Sequence, residues 1–304
     1  MSTQSNAMSE SFQSQSAAPA IIPATRVFYW SVRRELWEYR SIYIAPLAVA
    51  GVALFAFCLS SLVGIWEAPL RLNQAHGRAP FDMAAGLMML TGIIVSVFYC
   101  LDALHGERRD RSILFWKSLP VSDATTVLAK ASIPLLILPL LTVAIAVAMH
   151  WIMLLVSSAV VLANGGSVAT LWANSSFLRM SWLLLYHVLT AHALWPAPVY
   201  CWLLFVSGWS RRAPFLWAAL PVLAIGGVEQ IVFHTWHFAA LVGGRLIGAT
   251  PPVASTPPNV FPTDPMTHIM PGSFLSSPGL WIGLLIAAAF LAAAVQLRRY
   301  REPI

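Results

Sequence analysis

Asp102 to Lys130 reads DALHGERRDRSILFWKSLPVSDATTVLAK and sits between two long apolar runs, Met83–Leu104 and Ala131–Val156. Each run is long enough for a membrane-spanning helix, which needs about 20 mostly apolar residues. Between them, Glu107, Arg108, Arg109, Asp110 and Arg111 mix both signs of charge, Ile113, Leu114, Phe115 and Trp116 follow, and Lys117 closes the group. Leu119-Pro120-Val121-Ser122 then breaks the helical pattern, and Ser122 or Asp123 suits the cap of a returning helix. The stretch therefore predicts a short amphipathic helix, a turn and a helix leading back into lipid. A solvated loop obeying charge bias alone needs neither Phe115 nor Trp116; aromatic and aliphatic side chains flanked by charge make a protein-docking knob.

The rest of the chain agrees with a membrane setting. It has 304 residues, 58% hydrophobic and 10% charged, with mean hydropathy +0.72. Soluble chains carry roughly 25% charged residues, so an aqueous surface cannot be covered here. The net charge of +6 does not point to nucleic acid, because the basic residues cluster at the ends of apolar runs. The expected class is an all-α integral membrane protein with six spans: Ile42–Trp66, Met83–Leu104, Ala131–Val156, Trp182–Gly208, Phe215–Trp236 and Gly279–Leu297. His187 and His192 interrupt the fourth, and Pro134, Pro139, Pro196 and Pro198 predict kinks in the third and fourth. With both termini cytoplasmic, fourteen of the eighteen Lys and Arg residues fall on inner segments and four on outer ones, as the positive-inside bias requires.

Residues 1–24, rich in Ser, Gln and Ala, read as a disordered tail rather than a signal peptide. Residues 25–304 read as one membrane domain. Over 25–41, Phe28, Trp30, Trp37 and Tyr39 alternate with Arg26, Arg33, Arg34 and Arg40, which suits a helix lying on the inner leaflet; a plain extension of the first span is the alternative. The outer loop, 237–278, opens with a short apolar stretch, Phe238–Ile247, and continues rich in proline. Cys58, Cys100 and Cys201 read as buried small hydrophobes, with neither disulfide nor zinc site expected.

Three ionisable residues inside predicted spans are candidates for a translocation pathway or outer gate: Glu229, His187 and His192. Glu229 and His187 fall at similar depth, so they are expected to be able to pair; a structural interhelical bond is the plainer role. Asp102 is expected to pair with Arg108 or Arg109. Met266, His268 and Met270 resemble a copper arrangement only in letters, and no metal site is expected. Gly279 and Gly283 form a GxxxG pattern open to a helix contact.

GERRDRSILFWKSLPVSDATTVLAK resembles the loop between the second and third helices of ABC-2-type transporter permeases, through Glu107, Arg108, Asp110, Leu119, Pro120, Val121, Ser122 and Lys130. Arg34-Glu35 before the first span and the long outer segment before the last are similar too. The resemblance implies a type V exporter-like fold with an amphipathic connecting helix bearing Arg33, Arg34 and Glu35 and a coupling helix between spans two and three. It implies a docking surface of Glu107, Arg108, Asp110, Arg111, Phe115, Trp116, Leu119, Pro120 and Val121 for a cytoplasmic ATP-binding cassette ATPase. It also implies a second permease copy, identical or not, and a cell inner (plasma) membrane location among lipids.

The chain has two lysines, Lys117 and Lys130, and neither lies in a phosphate-cradling GxxxxGK[ST] motif. ATP and Mg are thus expected on the partner subunit, with no cofactor in this chain and no bond chemistry of its own. The apolar spans favour a hydrophobic or amphiphilic cargo such as a lipid, peptide antibiotic or drug. Two other classes stay open on the residues: an intramembrane enzyme using His150, His187, His192 and Glu229, and a non-transporting anchor or sensor whose knob binds a regulator.

Overall fold

Ala24–Glu38 forms the first helix, α1, in a computed structural model that describes residues 23–67, 79–118, 121–169, 172, 177–247 and 274–300. The expected N-terminal tail to residue 22, most of the proline-rich outer segment, and Leu119 and Pro120 of the knob lie outside the described residues. α1 stops at Tyr39, whose backbone (φ −104°, ψ 74°) leaves the helical region while its N–H bonds the carbonyl of Glu35. The next helix, α2, begins at Ser41 and runs to Glu67. The two are therefore separate helices. On α1, Trp30, Arg33 and Trp37 share a face. The Arg33 guanidinium lies over both rings, 5.0 and 4.7 Å from their centroids, and the rings are exposed while Glu35 turns inward and is buried.

The described residues form helices and no strand. After α2 come α3 (Ala79–Ala103), the short α4 (His105–Arg109), α5 (Ser112–Ser118), α6 (Asp123–Ser132), α7 (Leu138–Ala163), α8 (Phe177–His187), α9 (Ala197–Trp209), α10 (Pro214–Phe233), α11 (His237–Ile247) and α12 (Pro278–Tyr300). Five helical stretches are long and apolar enough to cross a bilayer, and the bent pair Leu184–Leu194 and Ala197–Trp209 makes a sixth if it is one span. The span interrupted by histidines in the sequence is thus the broken one, bent by 43°.

The third and fourth spans, where prolines predict kinks, contain π-helical turns, Ile133–Ile137 and Val188–Leu194. Leu138 N–H bonds the carbonyl of Ile133 and Trp195 N–H that of Thr190, each five residues back. Pro134 and Pro139 bring no N–H to the first of these turns, and Pro196 none to the end of the second. In an α-helix, residues five apart lie about 140° apart around the axis. The wider π turn swings them toward one face, and the His187 and His192 rings lie 5.6 Å apart.

The core lies between the spans of α3, α6–α7 and α8–α9. Met88, Met149, Met153 and Val188 fill one half, and Ile42, Tyr99, Cys100, Ile133, Tyr200 and Leu204 fill the other. Half of the most apolar stretch of the α3 span is buried, but only 17% of that of α2 and 11% of that of α10. Phe215, Leu223, Ile231 and Phe233 of α10 face outward, at no cost in hydrocarbon, since lipid tails are as apolar as leucine.

Candidate functional site

Six charged side chains meet where α1, α4, α6 and α12 converge, at one end of the bundle. Glu35 of α1 is 1% exposed, Glu107 of α4 2%, Lys130 of α6 0% and Arg298 of α12 6%. Such groups are tolerated away from water only when paired and hydrogen-bonded. Lys130 Nζ donates to both oxygens of Glu35 at 2.9 and 3.0 Å and lies 3.1 Å from Glu107 Oε1. Arg34 Nη2 bridges Glu35 at 2.5 Å and Glu107 at 2.8 Å. Arg298 donates through Nη1 to the other Glu107 oxygen and through Nε to Asp123 at 3.1 Å. The Tyr99 hydroxyl donates to Glu35 at 2.9 Å, which brings in α3. Three inward carboxylates thus face three cations and balance them in charge, and exposed Glu38 adds a fourth carboxylate at the rim, 3.7 Å from Arg34.

Its rim is ordered by the same logic. Burial opposes the charge on Arg34, but Glu35 and Glu107 outweigh it and hold its pKa above the ordinary value. The Tyr39 hydroxyl donates to Asp102 at 3.2 Å. Burial, then the charges of Asp102 and Glu35, push that phenol well above its usual pKa, so it remains a donor. Asp102 is thus bonded to Tyr39; of its two expected partners, Arg108 bonds backbone carbonyls and Arg109 pairs with Asp110 at 3.0 Å.

Arg108 Nη1 donates to the carbonyls of Gly208 and Ser210, at 2.8 and 3.2 Å, where α9 ends. In return, Ser207 Oγ accepts the N–H groups of Leu104 and His105, at 3.1 and 2.9 Å, where α4 begins. Each helix satisfies backbone groups that the other's end leaves without an intrahelical partner.

This geometry divides the residues expected to form one docking surface. Glu107 and Arg108 point inward and are joints of the bundle. Trp116 is half-buried, with the Arg34 guanidinium 4.0 Å above its ring. Leu114 and Phe115 stand out, 59% and 60% exposed, and Asp110 and Arg111 lie on the exposed turn before them. Arg111 takes φ +58°, which lets the chain reverse between α4 and α5. Val121 is half-buried, and Ser122 Oγ caps α6 by accepting from the N–H of Thr125 at 3.1 Å.

The intramembrane candidates do not form one site. Glu229 accepts from the Thr235 hydroxyl at 2.8 Å and from the N–H groups of His237 and Phe238 at 2.7 and 2.8 Å. It therefore caps the start of α11, in place of the expected partnership with His187. His187, the last residue of α8, and His192, within the π turn, lie together. His150 bonds the carbonyl of Phe81 at 3.1 Å. Among the described residues no three His, Cys, Asp or Glu side chains are placed to hold a metal ion.

Sequence reasoning singled out Arg34, Glu35 and Glu107 but missed the role of Lys130, Arg298, Asp123 and Tyr99. A signal existed for Lys130, a lone lysine at the mouth of an apolar run. Arg298 carried none, since it is one of several arginines at the end of the last span. No family model, curated protein or solved structure matches this chain.

Proposed function

We propose that the chain is the transmembrane permease subunit of an ATP-binding cassette exporter of the ABC-2 type, carrying a hydrophobic or amphiphilic cargo and driven by a separate ATPase. One observation carries this proposal: the buried cluster ties α1, α4, α6 and α12 together while α5, next to α4, leaves Leu114 and Phe115 exposed. Exposed apolar side chains on a short charged helix are what a docking partner grips. A push on α5 passes through Trp116 to Arg34 and through Glu107 to Lys130 and Arg298, hence to α1 and to the third and last spans. Moving one element alone would separate buried charges, so the elements move as a block.

In this reading α5 is the coupling helix, α1 the connecting helix, and both face the cytoplasm of a cell whose inner membrane holds two permease copies. Closure of two nucleotide-loaded ATPase subunits rotates the two blocks and switches a path between the copies from inward to outward. ATP and Mg stay on the partner, for this chain has no phosphate loop.

The test is co-expression with candidate cassette ATPases from the same cell, followed by purification and an ATP-hydrolysis assay. The wild-type chain is expected to bring down the ATPase and modulate its turnover. The pair Leu114→Glu and Phe115→Glu is expected to lose the ATPase at unchanged thermal stability. Cargo movement by the purified chain alone in vesicles, or unimpaired capture by the double variant, would refute the proposal.

A further inference from the structure

At the opposite end of the bundle a cation lies in an apolar wall with only neutral partners among the described residues. Gly279 and Arg298 are both on α12, nineteen residues apart, which is about 28 Å of helix. Arg245 of α11 reaches between Gly279 and the break in the fourth span. Its Nη2 donates to the carbonyl of Gly279 at 2.5 Å and its Nη1 to the carbonyl of Trp195 at 3.2 Å. The guanidinium carbon sits 3.9 Å from the centre of the Trp195 ring, and Trp195 Nε1 donates back to the carbonyl of Gly244 at 3.2 Å.

The sequence explains why it fits. The Val199 N–H bonds the carbonyl of Pro196 rather than that of Trp195, so the break leaves the Trp195 carbonyl for Arg245. A Cβ on Gly283 would collide with Arg245 Nη1 and lie 3.0 Å from Cζ. The GxxxG pattern is thus the berth of an arginine rather than of another helix.

A guanidinium has five N–H donors, and the two carbonyls leave others for a further partner. Burial lowers its pKa from the ordinary value, and no carboxylate among the described residues raises it. A half-buried arginine stacked on tryptophan matches an oxyanion, which its planar fork grips by two bonds. Beside Trp195 stands Phe274, ring centres 6.2 Å apart, so the anion's apolar remainder also finds a surface.

We propose that Arg245 and Trp195 form a head-group site for an oxyanion-bearing amphiphile, such as the phosphate of a membrane lipid. The site stands independently of any ATPase.

Native mass spectrometry of the full chain in detergent, with phosphatidylglycerol or the phosphate-free diacylglycerol added, tests it. The wild-type chain is expected to retain the anionic lipid about fivefold over the uncharged one, the scale of one basic residue near anionic lipid. Arg245→Gln is expected to erase that preference. If Arg245→Gln does not purify folded, Gly283→Ala, which keeps the charge but displaces the guanidinium, is expected to reduce it. Inorganic phosphate is added in parallel: competition identifies a free oxyanion as an alternative occupant, and its absence identifies the lipid chains as part of the grip. Both outcomes leave the assigned chemistry standing. A wild-type chain without preference, or a preference that survives the folded variants, overturns it.

Discussion

Replacing Lys130 by Met is the sharpest probe of the ionic cluster. The side chain is fully buried, and its ammonium makes two hydrogen bonds to Glu35, at 2.9 and 3.0 Å, and sits 3.1 Å from Glu107. Methionine fills a similar volume, so packing changes little and the charge is what is lost. The inner cluster then holds three carboxylates against two cations, with Glu35 and Glu107 buried. Breaking a buried pair by removing one partner costs about 3–5 kcal/mol. For a chain of this size that corresponds to a fall of roughly 6–15 °C in Tm. The assay is thermal unfolding of the detergent-solubilised chain, followed by tryptophan fluorescence. The double variant Glu35→Gln, Lys130→Met restores charge balance, and its loss is expected to be smaller than the sum of the two single losses by about 0.5–3 kcal/mol. Arg109→Ala serves as a control: its pair with Asp110 spans 3.0 Å, but both side chains are about 60% exposed, and Tm is expected to stay put. A Lys130→Met chain that melts with the wild type, or strict additivity of the two changes, would refute the claim that these charges are mutually dependent.

Other perturbations follow from particular contacts. Glu229→Ala removes the acceptor of the first N–H groups of α11, so hydrogen exchange over 237–247 is expected to speed up while the other spans keep their protection; unchanged protection there contradicts the capping role. Arg111→Gly relieves a left-handed residue at φ +58° and is expected to raise stability by about 0.5–1 kcal/mol, measured by chemical denaturation. Burial, and then the Glu35 charge, raise the Glu38 pKa above its ordinary value. A carboxyl that holds its proton more tightly in the folded chain contributes stability at low pH and loses it as pH rises through the carboxylate range. Glu38→Gln is therefore expected to melt above the wild type at neutral pH, with the gap closing in acid; a gap that widens in acid reverses the sign and rules the assignment out.

Much of the membrane architecture was legible in the letters. Apolar runs of span length set the helices, because hydrocarbon tolerates only segments that satisfy their own backbone. Prolines and histidines marked the span that bends. Other features were legible but misassigned. The GxxxG signal was real as a lack of side chains, yet what fills the space is Arg245, from a helix more than thirty residues earlier. Glu229 reads as an intramembrane acid at the depth of His187, and only the turn after α10 brings the N–H groups of α11 to it.

The chain's composition and periodicity by themselves determined that this is a bundle of membrane-length helices with a charged hairpin between the second and third. Those properties are local: a run is apolar, or a loop charged, whatever the rest of the chain does. The tertiary structure alone decided that Glu107 faces Lys130 and Arg298, so that a residue expected on the surface is a buried joint. Its partners are 23 and 191 positions away, and such pairing depends on how helices cross, which no local pattern encodes.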